Sequence, residues 1–158
     1  MAVTYRQTVE VAAPAEAVAR VLLDVADWPT WNASVAWVDR PGTGPLASAE
    51  TVRLKQHRLP ANTWTVTDLD ATGFTWTATS AGVHSTGDHR VRPVGADRAE
   101  VTLTLTLDGP LARLTTFLGA RLIRRYLGME ADGLRRRVEH SDPDPAAPAV
   151  SDSYDGRR

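Results

Sequence analysis

Val3, Tyr5, Gln7, Val9 and Val11 alternate with Thr4, Arg6, Thr8 and Glu10, and a period of two marks a strand with one buried face. Pro14 then stands where a first helical residue belongs, and Val18, Val21, Leu22 and Val25 follow at helical spacing. That pattern predicts a short amphipathic helix. The run Asp27-Trp28-Pro29-Thr30-Trp31-Asn32 predicts a second turn of helix or a tight corner before the chain becomes extended at Val35 and Trp37.

Alternation returns at Val52, Leu54 and Gln56, at Trp64 and Val66, and at Phe74, Trp76 and Ala78. Pro41-Gly42-Thr43-Gly44-Pro45 reads as a loop, Pro60 ends a strand, and Gly73 supplies a turn between two strands that form a hairpin. A further strand covers Val83 to Val91. The clearest alternation places Val101, Leu103, Leu105 and Leu107 between Thr102, Thr104 and Thr106. From Leu111 to Val138 the period becomes helical, and at 1.5 Å per residue such a helix reaches about 42 Å, enough to cross a whole sheet. Arg121, Arg124, Arg125, Gly128, Asp132 and Arg135 collect in one polar sector. The apolar remainder is wide enough to be covered on more than one side. Gly119, Gly128 and Gly133 each weaken the helix by about 1 kcal/mol relative to alanine and mark where it would bend.

The expected architecture is therefore α+β: a curved antiparallel sheet wrapped around a long C-terminal helix, with two short helices near the N-terminus. The length of 158 residues suits one domain, expected over residues 1–140, with room for an internal cavity. Residues 141–158 are rich in Pro, Asp, Ala and Ser without periodicity and are expected to be disordered. A net charge of −1 gives no basic excess for nucleic acid. The absence of cysteine excludes disulfide and thiolate chemistry and favours the cytoplasm. The opening residues read as strand, not as a charged-then-apolar leader, and no apolar run approaches bilayer length.

Strand parity places Trp37, Leu54, Gln56, Trp64, Trp76, Ser85, His89 and Leu103 on the face toward the long helix, joined by Gln7 and Ser80. On that helix Leu118, Leu122 and Tyr126 share one stripe. A mostly apolar face with few polar groups is the usual lining of a small-molecule pocket, and these residues are the expected ligand-binding set. His89 is the one histidine that parity turns inward, and imidazole titrates near pH 6.5. With Tyr126 and Gln56 it forms the candidate catalytic set, although a hydrogen-bonded core histidine has the same sequence signature. Ser85 shares its face with His89, but four residues of strand separate them by about 13 Å, too far for a nucleophile and its base. Asp88 points to the opposite face. His57, His84 and His140 show no metal-ligand spacing, so neither metal nor cofactor is expected.

Ala13-Pro14-Ala15-Glu16-Ala17-Val18, Trp28-Pro29-Thr30-Trp31-Asn32, Arg53-Leu54-Lys55-Gln56, Trp64-Thr65-Val66 and the closing helix resemble the START-like (SRPBCC) superfamily, in its polyketide cyclase/dehydrase-like branch. The resemblance covers residues 3 to about 138. It implies the helix-grip fold and a cavity between sheet and helix, in a superfamily of aromatase/cyclases, lipid carriers, hormone receptors and chaperone-ATPase activators. Its aromatase/cyclases carry tyrosine and arginine in the pocket, whereas here Arg53 has outward parity and Arg121 lies in the polar sector. Three functions follow as expectations. The first is binding or transport of a small hydrophobic ligand such as a lipid or a polyketide-like metabolite. The second is a cyclase, dehydratase or isomerase without metal or redox cofactor. The third is a protein-interaction adaptor acting through the helix arginines, which Glu130 and Asp132 interrupt as on an ordinary solvated face.

Overall fold

In a computed structural model, which describes residues 1–141, seven strands form one antiparallel sheet. They are β1 (Val3–Val11), β2 (Val35–Asp39), β3 (Thr51–Gln56), β4 (Asn62–Asp70), β5 (Gly73–Ser80), β6 (Val83–Gly95) and β7 (Arg98–Asp108). The spatial order β1-β7-β6-β5-β4-β3-β2 makes strands two to seven a meander and sends the first strand to the far edge beside the last. Helix α1 (Ala15–Leu23), a single 3-10 turn (Val25–Asp27) and α2 (Trp28–Trp31) carry the chain between the two edge strands, and α3 (Ala112–Glu139) closes the fold. The sheet curls around α3, which packs on β1 and β7 and meets α1 and α2 near its C-terminal end. This is the helix-grip arrangement. The segment expected to be disordered lies, apart from Ser141, outside the described residues.

The short helices are held by a tryptophan. The Trp28 indole N–H donates to the Leu22 carbonyl at 3.0 Å, and Leu22 lies in the last turn of α1, where helix geometry leaves carbonyls without partners. That ring packs 5.6 Å from Trp31 and 5.5 Å from Trp76 of the sheet. Val18, Leu22, Val25, Phe74, Val101 and Leu134 are fully buried around it. A smaller cluster of Tyr5, Val83, Leu107 and Ala112 packs near the other end of α3.

Helix α3 is continuous through all three of its internal glycines. Gly133 is there for proximity: a Cβ at that position would lie 2.3 Å from the Trp31 carbonyl oxygen, so only glycine lets α2 cross so close. Glu139, at the last turn, accepts a hydrogen bond from the Ala12 amide at 2.9 Å and ties the end of α3 to the corner after β1.

Outside the sheet, Arg40 grips Glu50 through Nε at 2.6 Å and Nη2 at 2.8 Å, and also donates to the carbonyls of Gly44 and Pro45. The Glu50 carboxyl is held below its usual range, first by the Arg40 hydrogen bond and then by the Ala47 amide, against an opposing desolvation. One fork thus organises the whole loop between β2 and β3.

Two stability outcomes follow. Gly133→Ala forces a methyl group into the α2 backbone and should cost about 1–3 kcal/mol, read as a fall of several degrees in Tm; unchanged melting would mean the two helices have room to part. Because the folded Glu50 carboxyl is depressed, its stabilisation is full above the unfolded carboxylate range and is lost as pH falls through the folded value. Glu50→Gln should therefore lower Tm at pH 7, with the gap from wild type narrowing in acid; a gap independent of pH would show that charge at position 50 contributes nothing.

Candidate functional site

A cavity of about 340 Å³ opens between the inner face of the sheet and α3. It is bounded by members of both core clusters, with Trp28, Trp76 and Leu103 from one and Val83 and Leu107 from the other. Pro60, Ala81 and Thr115, all exposed, lie at its rim. Ala112 at the start of α3 is buried in the smaller cluster and Ala131 and Leu134 near its end in the larger one, and the space lies along the helix between them.

The strands supply an aromatic wall. Trp64 stacks on Trp76 at 5.1 Å and 29°, as neighbouring strands β4 and β5 bring their inward residues together. Gly87 on β6 makes room for that pair: a Cβ there would lie 2.6 Å from the Trp76 indole nitrogen. Next along β6, His89 is the cross-strand partner of Phe74, and the two rings stack at 4.4 Å and 10°. Trp28 and Trp76 flank the same imidazole at 5.4 and 5.6 Å. His89 is thus boxed on three sides by aromatic rings.

On its remaining side stands Glu130 of α3. His89 Nε2 lies 3.0 Å from Glu130 Oε1, and both residues are 6% exposed. The contact has the distance of an ion pair without hydrogen-bond alignment, for Oε1 makes no hydrogen bond with the described residues, nor does His89 Nδ1. Buried polar atoms in this condition are costly, and here both belong to residues that line an open cavity. A ligand oxygen or hydroxyl placed there would relieve the cost.

Of the expected ligand-binding residues, Leu54, Gln56, Trp64, Trp76 and Ser85 line the cavity, as do His89, Leu103, Leu122 and Tyr126. Gln56 donates to Ser34 Oγ at 3.2 Å, and Ser34 in turn donates to Asn32 Oδ1 at 2.8 Å. The Tyr126 hydroxyl donates to the His57 carbonyl, so this phenol tethers the β3–β4 loop to the helix. Gln7 lies instead in a separate small hollow beside Arg124.

Two expectations are corrected. Trp37 is 38% exposed and lies beneath the Arg53 guanidinium at 5.4 Å on the outer face. A bulge between Val35 and Trp37 shifts the β2–β3 register, and one extra residue reverses every side chain beyond it. Leu118 is 74% exposed; Thr115, Gly119, Leu122 and Ile123 are the α3 residues that line this part of the cavity. The residue that strand and helix patterns missed is Glu130, taken for part of a solvated face. Its signal was the spacing Tyr126-Glu130-Leu134, which puts the carboxylate on the stripe of two buried side chains. Among the described residues no Lys or Arg lines the cavity, and no group of three His, Asp or Glu could hold a metal ion.

Residues 2–139 match the family model described as polyketide cyclase/dehydrase and lipid transport. No curated protein sequence matches the chain. Among solved structures, the Zhui aromatase/cyclase of a Streptomyces species is similar at 23% identity, over 89% of this chain and 98% of that one, with a TM-score of 0.68. A START superfamily protein from Mycobacterium smegmatis is 20% identical over 86% of this chain and 97% of its own, also with a TM-score of 0.68. Norcoclaurine synthase from Thalictrum flavum, solved with dopamine and hydroxybenzaldehyde, is 14% identical over 90% of each chain with a TM-score of 0.71. At these identities the likeness is one of fold.

Filling the cavity tests its extent. Ser85→Trp adds volume at a lining position without deleting a core side chain, and it should reduce hydrophobic-dye binding about tenfold or more while circular dichroism stays that of the folded protein. Undiminished dye binding by a folded variant would place the accessible pocket elsewhere.

Proposed function

The chain belongs to the polyketide cyclase/dehydrase and lipid transport family, and on that premise we propose that its cavity binds a flat, largely apolar metabolite whose one polar end meets His89 and Glu130. The observation that carries this reading is the pair of unsatisfied buried atoms, His89 Nδ1 and Glu130 Oε1, on residues lining an otherwise aromatic and aliphatic cavity. The stacked indoles of Trp64 and Trp76 favour a ring system over a flexible acyl chain, because an extended π-face offers a planar guest both area and quadrupole complementarity. Absence of cysteine is in keeping with a reducing compartment, and work in the cytoplasm is part of the proposal.

A second reading is favoured by one specific observation, the approach of imidazole and carboxylate at 3.0 Å inside the cavity. In this reading the protein is a dehydratase or cyclase acting on a polyketide-like β-hydroxy ketone. His89 takes the proton from the carbon between carbonyl and hydroxyl, and the Glu130 carboxylate stabilises the imidazolium that results. The C–H electron pair forms the new C=C bond as the C–O bond breaks, and the imidazolium returns its proton to the departing hydroxyl, which leaves as water. No redox partner enters the balance. With no Lys or Arg lining the cavity among the described residues, charge developing on the carbonyl oxygen would rest on neutral donors, which stabilise it less than an arginine would.

Protein purified from its own host should carry an apolar small molecule visible by native mass spectrometry, and its binding should quench the cavity tryptophans. His89→Gln and Glu130→Gln keep a polar group at each place. Under the enzymatic reading, turnover of a β-hydroxy ketone falls about 100-fold or more in each while ligand affinity changes only a few-fold. Loss of affinity with no turnover in wild type would leave a binding protein whose pair serves recognition alone. A cavity that takes up no planar apolar ligand would refute both readings.

A further inference from the structure

We propose that the opening turns of α3 dock the protein, beside the rim of its cavity, onto an anionic lipid surface. Leu111, Leu114, Phe117 and Leu118 are 45%, 56%, 84% and 74% exposed, a run of large apolar side chains left in solvent along the start of one helix. At about 100° per residue, Leu114, Phe117 and Leu118 share the face turned away from the cavity with Arg121 and Arg125, one turn further on. Between Leu111 and Met129 the chain holds four arginines and no acidic residue, although its net charge is −1. Among the described residues, none of Arg113, Arg121, Arg124 and Arg125 forms a salt bridge with a carboxylate.

Apolar side chains and uncompensated arginines on one helical face are the composition of a segment that lies in a membrane interface. The apolar groups enter the acyl boundary, and the guanidinium groups reach the phosphates of acidic lipids. The association is peripheral, since no described helix is long and apolar enough to cross a bilayer. A protein partner fits the patch less well. Stable protein pairs bury roughly 800 Å² on each side, more than four side chains of this size expose.

The patch also adjoins the rim. Leu111 lies over the turn at Gly82, where a Cβ would meet it at 3.6 Å, and the flanking Ala81 and Val83 line the cavity. On the other side of the same turns of α3, Thr115 and Gly119 line it too. Docking would bring the rim at Leu111 and Ala81 close to the bilayer and so shorten the path of an apolar guest between lipid and cavity. Such transfer rests on the ligand reading given above, whereas docking does not.

The test is co-sedimentation of the full chain with vesicles of phosphatidylcholine alone and of phosphatidylcholine mixed with phosphatidylglycerol. Binding is expected to the mixed vesicles, to weaken at high salt, and to fall about tenfold or more in the double variant Leu114→Ser/Phe117→Ser. Both positions are exposed, so the variant should fold and retain dye binding in its cavity. Arg121→Glu/Arg125→Glu should abolish the preference for phosphatidylglycerol. Ser85→Trp, which obstructs the cavity, should leave vesicle binding unchanged and so separates failure of docking from failure of the ligand reading. The proposal is overturned if wild type ignores both vesicles, if the Leu114/Phe117 variant binds as wild type does, or if the patch instead mediates a concentration-dependent dimer that this variant abolishes.

Discussion

The structure depends on how Trp28 is seated. Its indole is spent twice: the N–H satisfies a carbonyl at the end of α1, and the ring faces touch Trp31, Phe74, Trp76 and His89. The short helices, the middle of the sheet and the polar end of the cavity therefore share one side chain that is 2% exposed. At that end α3 is held by the Gly133 crossing, and at its start Ala112 is buried against Tyr5, Val83 and Leu107. The cavity lies along the helix between these two anchored ends. Its mostly apolar lining follows, because many of the side chains around it belong to the two core clusters.

Polarity in such a space is expensive, and the fold places it sparingly. Gln56, Ser34 and Asn32 form a chain of hydrogen bonds that ends on Asn32 Oδ1, and Tyr126 is engaged with the loop carbonyl of His57. Among the described residues that line the cavity, only His89 and Glu130 carry buried side-chain atoms without a hydrogen-bond partner, and they lie 3.0 Å apart. The aromatic box fixes the imidazole in orientation, so that a guest meets a donor and acceptor set already in place and little ordering is left to be done on binding.

Much of the architecture was legible from period alone. Strands β5, β6 and β7 read correctly because they sit in the middle of the sheet, where one face is buried along most of its length and the alternation is enforced by packing. The edge strand β2 was misread at Trp37, since a bulge leaves no mark in a pattern of two apolar positions. Along α3 the apolar stripes were visible, but periodicity cannot say where the sheet ends beneath a helix. Leu118 counts as inward by its four-residue spacing from Leu122, yet each such step turns the helix by about 40°, and Leu118 ends on the outer face with Leu114 and Phe117. Glu130 was hidden by the opposite bias: a carboxylate among arginines looks solvated, and only its register with Tyr126 and Leu134 shows otherwise.

Gly87 carries an implication for how proteins of this kind diverge. Its missing side chain is what lets the Trp76 ring lie where it does, and that ring forms a wall of the cavity together with Trp64. A single methyl group at this strand position would have to be answered by a turn of the indole, altering the shape of the chamber and the packing on Trp28 and Phe74 while strand pairing and the smaller core cluster stayed as they are. The dimensions of the chamber are therefore set by a residue with no side chain of its own, and a lineage could change what it accommodates in one mutational step at the cost of repacking around Trp76.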